Sequence, residues 1–291
     1  MNGILIPTNP RRRFLIAMAL TGLAISTSTH AAPRGEILVV LSSEHAIDMQ
    51  EGKQYKTGYF LNELTVPVKA LMEAGYTITF ANPKGSRPEM DTHSDKADFF
   101  NGNEAKYLEI RAFHDQLEGL KKPQKLANVV SAGLDSYQAV FFPGGHAPMQ
   151  DLLADCAVSK VLHHFHKTGK PTALICHGPI ALLAAMPNAA NFVSAMRQGN
   201  PPKHPSEWIY TGYRMTIFST AEEKTAEASQ LGAKMLFYPE QGLDKAGGKV
   251  VVAPAWKSHV VRDRELITGQ NPFSDDALVR ELLRALADKH P

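Results

Sequence analysis

Two short stretches carry residue types that could do chemistry. One is Ile175-Cys176-His177-Gly178-Pro179, and the other is Pro143-Gly144-Gly145-His146. Each comes after a run of apolar residues short enough for a buried strand: Thr172 to Ile175 before the first, Ala139 to Phe142 before the second. A strand that runs into a cysteine and then a helix is the physical situation of a nucleophile elbow. The turn is expected to expose the sulfur. Gly178 lets the next helix pack close, and the helix N-terminus should favour thiolate by lowering the thiol pKa. Peptide N–H groups of Gly144, Gly145 and His177 could hold a developing oxyanion. Leu174 stands where a Gly-x-Ser-x-Gly elbow has its first glycine, so the pattern is incomplete.

Only two cysteines are present, which excludes a disulfide framework. Cys156, between Asp155 and Ala157, reads as an ordinary helical residue acting as a small hydrophobe. Glu63 lies at the border of an apolar helical stripe formed by Phe60, Leu64, Val68 and Leu71. Desolvated, its carboxyl would have a raised pKa and could donate to a thiolate. Helix geometry alone favours a solvated Glu63 instead.

These residues must be held by a larger frame. The chain has 291 residues, 31 basic and 29 acidic, with a formal charge of +2. That balance argues against a generic nucleic-acid or anionic-membrane binder. Expected strands are Ile37 to Leu41, Tyr76 to Ala81, 139 to 142, 172 to 175, Met215 to Phe218, Val250 to Ala253, His259 to Val261 and Glu265 to Thr268. Helices are expected over Thr57 to Ala74 (kinked at Pro67), Glu104 to Gly119, Lys125 to Ala132, after Pro179, and Pro272 to Leu286. The alternation predicts an α/β fold, a doubly wound, mostly parallel sheet sandwiched by helices, flavodoxin-like in architecture. Ligands of such sheets sit beyond the carboxyl ends of the strands, where both motifs lie.

The first 31 residues hold Arg11, Arg12 and Arg13 and no acid, then an apolar run from Phe14 to Ile25 and a small-x-Ala site at Thr29-His30-Ala31. This predicts a signal peptide over 1–31 of twin-arginine type, a periplasmic protein, a mature domain over 32–291, and no membrane insertion after signal removal.

The chain resembles the ThiJ/PfpI superfamily, which shares its core with class I glutamine amidotransferases. The resemblance rests on Thr57-Gly58-Tyr59-Phe60 with Glu63, Phe142 to His146, Cys176 to Pro179, and Leu266 to Pro272. It is strongest to the glutathione-independent glyoxalase and heat-shock chaperone branch. That resemblance implies Cys176 as nucleophile, His177 as its base and Glu63 as the carboxyl at the sulfur. It implies a further acid after Phe218-Ser219; Glu223 matches by spacing, with Glu222 beside it. A capped surface helix with two solvated acids is the competing reading. The resemblance also implies a homodimer and a small helical cap, over about 82–135. Some branch members bind zinc, but His93, Asp98 and His114 lack a compact ligand spacing, so no metal is expected.

The activity implied is conversion of methylglyoxal or glyoxal to a hydroxy acid through a hemithioacetal on Cys176, with no cofactor. Alternatives from the same resemblance are a stress chaperone holding unfolded clients, and a deglycase or other hydrolase. Amidotransfer is discounted: the usual late His-x-Glu pair is missing, and His259-Val260-Val261 does not supply it.

Overall fold

The computed structural model describes residues 1–3, 34–200 and 207–288. The expectation of an export signal at residues 1–31, and of a periplasmic destination, is corrected: it finds no support. Residues 4–33 lie outside the described residues, and no described helix is long and apolar enough to cross a membrane.

The central sheet has seven strands: β1 (Glu36–Val40), β2 (Thr77–Asn82), β3 (Gln124–Lys125), β4 (Tyr137–Phe142), β5 (Thr172–Ile175), β6 (Val260–Asp263) and β7 (Leu266–Gly269). Their spatial order is β6-β7-β5-β4-β1-β2-β3. Every pairing is parallel except β6 with β7. The fold is therefore a mostly parallel, flavodoxin-like α/β sandwich.

Side chains along a strand alternate between faces, and here both faces are covered. Leu38, Val40, Val140 and Phe142 enter one apolar core. Ile37, Val39, Ala139 and Phe141 enter the other. Two-sided burial is the reason these strands read as continuous apolar runs rather than as alternating ones. From β1 the chain builds outward to β2 and β3 on one side and to β4, β5 and β7 on the other. The order reverses between β1 and β4, where such sheets open a crevice at their carboxyl ends.

Helix α1 (Leu61–Glu73) begins four residues later than the sequence suggests. Its Phe60 N-cap offers no side-chain bond; instead Ser94 Oγ, from a distant segment, accepts the Leu61 N–H at 2.9 Å. Pro67 lies inside the helix, where it can give no hydrogen bond to the carbonyl of Glu63, four residues earlier. Both faces of α1 are used. Leu64, Val68 and Leu71 face the sheet, while Leu61 and Val66 pack with Phe100 and Ile110.

Phe100 and Ile110 belong to the 82–135 segment. Residues 92–121 of it form short helical pieces and helix α2 (Glu104–Asp115). The rest is part of the main sandwich: β3 is its edge strand, with a helix after it at Leu126–Ala132.

Two expected strands are shorter. Only Arg214–Met215 and Lys249–Val250 are extended, and they pair with each other outside the main sheet. Phe218 departs because its N–H bonds the carbonyl of Cys176 at 3.0 Å, which draws it to the strand ends. The segment after Pro179 forms 3-10 turns over Gly178–Ala185, with every residue buried. The last helix, α3 (Asp275–Ala287), comes after a short turn at Pro272–Ser274.

Candidate active site

Cys176 is the first residue beyond β5 and has φ +59°, in the left-handed region. For a residue with a Cβ this costs about 1–2 kcal/mol. Two backbone bonds hold it there. Its N–H donates to Gly269 O at the end of β7, at 2.9 Å, and its carbonyl accepts from Phe218. The sharp turn is thus imposed by its neighbours on both sides. Leu174, the departure from the elbow pattern, is a buried core residue of β5. Gly178 is required: a Cβ there would stand 2.5 Å from the carbonyl oxygen of Phe142.

The turn does not expose the sulfur. Cys176 is only 3% exposed. Burial pushes its thiol pKa well above the ordinary range, and the neighbouring Glu63 adds to the rise. The expected lowering by a helix N-terminus is therefore corrected. Desolvation dominates, and residues Gly178–Ala185 beyond the cysteine form 3-10 turns rather than a regular α-helix.

Glu63, in the first turn of α1, is fully buried on the same side of the sheet as Cys176. Its pKa is pushed up to about 8, by burial first, with Asp275 and Asp91 adding to the shift. At neutral pH it is a protonated acid. Among the described residues no group meets its carboxyl with good hydrogen-bond geometry, although Cys176 and the N–H of Gly145 act on it directly. Gly144 wedges between the two side chains. A Cβ on Gly144 would stand 2.3 Å from Glu63 Oε2 and 2.5 Å from Cys176 Cβ. The Gly144 carbonyl accepts from Phe60 N–H at 3.3 Å, which ties the second motif to the start of α1.

His177 Nδ1 lies 3.4 Å from Sγ. His177 Nε2 lies 2.8 Å from Glu223 Oε2. The other carboxylate oxygen, Oε1, is 2.9 Å from Nε2 of His146. The two imidazole ring centroids lie 4.0 Å apart, with the ring planes tilted by 39°. All three residues are buried. Burial opposes ionisation of Glu223, but the two histidines outweigh it and hold its pKa at about 2. The His177 pKa is pushed down, by burial first and then by His146. Burial also works against charge on His146, yet the adjacent Glu223 raises its pKa.

Glu222 goes elsewhere. It completes a capping box with Ser219 and accepts from Ser219 Oγ, Gln270 Nε2, Asn271 Nδ2 and Trp256 N–H, at 2.7 to 3.0 Å. Both acids are buried, contrary to a solvated helix start.

A cavity of about 40 Å³ opens onto Cys176, His146 and His177, walled by Phe60, His93, Phe99, Phe218 and Trp256. One water needs roughly 10–15 Å³ on this measure, so the space suits a molecule of a few heavy atoms. No lysine or arginine lines it among the described residues. Cys156 is far from this chemistry in kind: it is exposed, at the start of a helix at Cys156–Thr168.

The candidate metal ligands of the 82–135 segment do not converge. His93 packs on the rings of Phe60 and Phe99, His114 Nε2 is 2.8 Å from Tyr59 Oη, and Asp98 pairs with Lys96. These residues do not fit a zinc ion. His146, His177 and Glu223 form the one close group of ligating side chains among the described residues. Its 2.8 and 2.9 Å contacts are hydrogen-bond distances, and they use both carboxylate oxygens.

Sequence reasoning did not assign a role to His146. The signal was its place directly after Gly144-Gly145, at the carboxyl end of β4.

Known proteins resemble this chain in sequence and in fold. A family model described as ThiJ/PfpI family-like matches residues 55–230. The protein/nucleic acid deglycase HchA of Staphylococcus aureus is 29% identical over 263 residues, spanning 87% of this chain and 82% of its own. The Rapid Encystment Protein of Francisella tularensis superposes with a TM-score of 0.67 at 25% identity, over 87% of this chain and 99% of that one. Glyoxalase III from Candida albicans shares the fold, with a TM-score of 0.65 at 21% identity over 88% and 98% of the two chains.

Proposed function

The chain belongs to the ThiJ/PfpI family, and on that premise we propose that it is a cysteine-dependent enzyme converting small α-oxoaldehydes, methylglyoxal or glyoxal, into hydroxy acids. One observation carries the reading. The Cys176 sulfur is met by a base held by a carboxylate, His177 on Glu223, and neighbours a second carboxyl whose pKa burial pushes up to about 8, Glu63.

Cys176 has a thiol pKa that burial raises, so resting thiolate is not what drives the reaction. Proton transfer to His177 Nδ1 as the sulfur attacks removes that barrier. Glu223 orients the ring and stabilises the imidazolium that forms. Protonated Glu63 donates toward the sulfur and stabilises negative charge there; ionised, it would repel that charge. The N–H groups of Gly145 and His177 are the candidate donors for the oxygen of the adduct. Sulfur addition to the aldehyde gives a hemithioacetal, proton transfer between the adjacent carbons gives a thioester, and water releases lactate or glycolate. The small cavity without cationic side chains favours a neutral aldehyde over an anionic keto acid.

Deglycation is the second reading. The relative from Staphylococcus aureus is named a protein/nucleic acid deglycase, and the same sulfur could attack an early glycated amine. The test is to supply methylglyoxal alone, and separately a preformed methylglyoxal–amine adduct, to the protein and to its Cys176→Ala form. Lactate from the free aldehyde, lost in Cys176→Ala, supports the dicarbonyl reading. Release of amine from the adduct without turnover of the free aldehyde would replace it with deglycation. Equal activity of both forms sinks both readings.

A further inference from the structure

The Glu223 carboxylate has two histidines on it, and attack by the sulfur uses only one. An ionised carboxylate can only accept hydrogen bonds. Its oxygens lie 2.9 Å from His146 Nε2 and 2.8 Å from His177 Nε2, so both Nε2 atoms carry hydrogens. The tautomers are thereby fixed. In each neutral ring the basic atom is Nδ1.

The two Nδ1 atoms meet different surroundings. That of His177 faces Cys176 Sγ at 3.4 Å. That of His146 is buried and has no hydrogen-bond partner among the described residues. A buried acceptor left unpaired is costly, and such an exception calls for an explanation. The His146 ring lines the small cavity at Cys176. Tyr55 packs against it edge-on at 5.9 Å, and Phe218 at 6.2 Å, so the ring has little freedom to turn away.

We propose that His146 is a second catalytic histidine, whose Nδ1 carries the carbon-bound proton while His177 serves the sulfur and the oxygens. The inference rests on the hemithioacetal reading above. Sulfur addition forms the S–C1 bond, and the thiol proton passes through His177 Nδ1 to the C1 oxygen. His146 Nδ1 then takes the hydrogen from C1, and its electron pair forms the C1=C2 bond of an enediolate with the charge on the C2 oxygen. His177 moves the proton of the C1 hydroxyl to the C2 oxygen. His146 returns its own proton to C2. C1 is oxidised to a thioester and C2 reduced to a secondary alcohol within one molecule, so no outside oxidant enters. Water then cleaves the C1–S bond, and the sulfur recovers its proton.

One carboxylate shared by two rings whose centroids lie 4.0 Å apart favours a single imidazolium at a time. The arrangement suits two histidines that work in turn.

The test separates adduct formation from proton transfer. His146→Gln keeps an amide donor for Glu223 but has no Nδ1 base. With methylglyoxal, wild type, His146→Gln and His177→Gln are followed by intact mass for the Cys176 adduct and by lactate release. The expected result is that His146→Gln forms the adduct within about threefold of the wild-type rate but loses lactate turnover by about 10²–10⁴-fold. His177→Gln slows the adduct itself. Lactate from His146→Gln within threefold of wild type overturns the inference and leaves the proposed function standing. Loss of adduct and turnover in equal proportion also overturns it, since His146 would then only position its neighbours. A wild type that makes no lactate overturns both. Thermal unfolding checks that the variant folds. Should it not, the ¹⁵N resonance of His146 Nδ1 in wild type decides: it must shift on adduct formation, and an unchanged signal overturns the proposal.

Discussion

Glu222 and Glu223 are consecutive, both fully buried, and serve unrelated parts of the molecule. Glu223 accepts from two imidazoles beside the sulfur. Glu222 accepts from Ser219, Gln270, Asn271 and the Trp256 N–H, tying together the start of its own helix, the end of β7 and the loop that carries Trp256. Helix geometry accounts for the division, because side chains one residue apart point about 100° away from each other.

The two acids should separate in experiment. Glu223→Gln should leave a folded protein with kcat down by about 10²–10⁴-fold, the usual range for a disabled acid–base pair. Glu222→Gln should instead lower stability by about 1–3 kcal/mol, because its amide nitrogen cannot accept from the buried donors that meet the carboxyl, while the folded fraction keeps most of its activity. Thermal unfolding and kcat measured on both variants check the pair. The reverse pattern would mean that the roles are exchanged.

Glu63 is expected to set the alkaline side of the pH profile. Its folded pKa is about 8, so activity that needs its proton should fall as pH rises through that value. Glu63→Gln keeps an N–H donor and has no proton to lose. Its profile should stay level across pH 7 to 9, at reduced kcat/KM. The stability term runs the same way. A carboxyl with a raised folded pKa binds more protons when folded, so stability falls as pH rises from the usual carboxylate range toward 8. Denaturant titrations at pH 5 and pH 8 should show wild type losing stability relative to Glu63→Gln.

Glu223 has the opposite sign. Its folded pKa of about 2 lies below the usual 4.5, so it contributes stability above about pH 4.5 that is lost as pH falls toward 2. Acid unfolding of Glu223→Gln, compared with wild type, should show a shallower dependence in that window.

Gly144→Ala tests the wedge between nucleophile and acid. Its Cβ would meet Glu63 Oε2 at 2.3 Å and Cys176 Cβ at 2.5 Å, so one of them must move. Loss of lactate turnover by at least about 10²-fold is expected, since displacement by about 1 Å can cost that much. Turnover near wild type would show that the placement of Glu63 against the sulfur is not needed.

Cys176→Ala should abolish adduct formation, whereas Cys156→Ala should leave turnover within about twofold. Intact mass after exposure to methylglyoxal reads the first directly. Cys156 is exposed and is not among the residues that line the pocket.

The sandwich and the family were legible in the amino-acid order. Continuous apolar runs such as Thr172 to Ile175 have only one stable use, burial on both faces of a parallel sheet, and their alternation with helices leaves few arrangements. Cys176 stood out as well, because a strand that ends at a cysteine with Gly-Pro just beyond it is a local pattern. Everything that depends on partners distant in the chain was settled by packing in three dimensions. Whether Glu63 faces solvent or sulfur depends on Gly144, far along the chain, and on the 92–121 segment that covers the second face of α1. Which of two adjacent acids reaches His177 depends on how their helix is rotated by its capping box. His146 had no local signature beyond its two glycines. The thiol pKa of Cys176 runs against the local pattern for the same reason: the segment beyond it forms 3-10 turns rather than the expected α-helix, and desolvation, a property of everything packed around an atom, decides the direction.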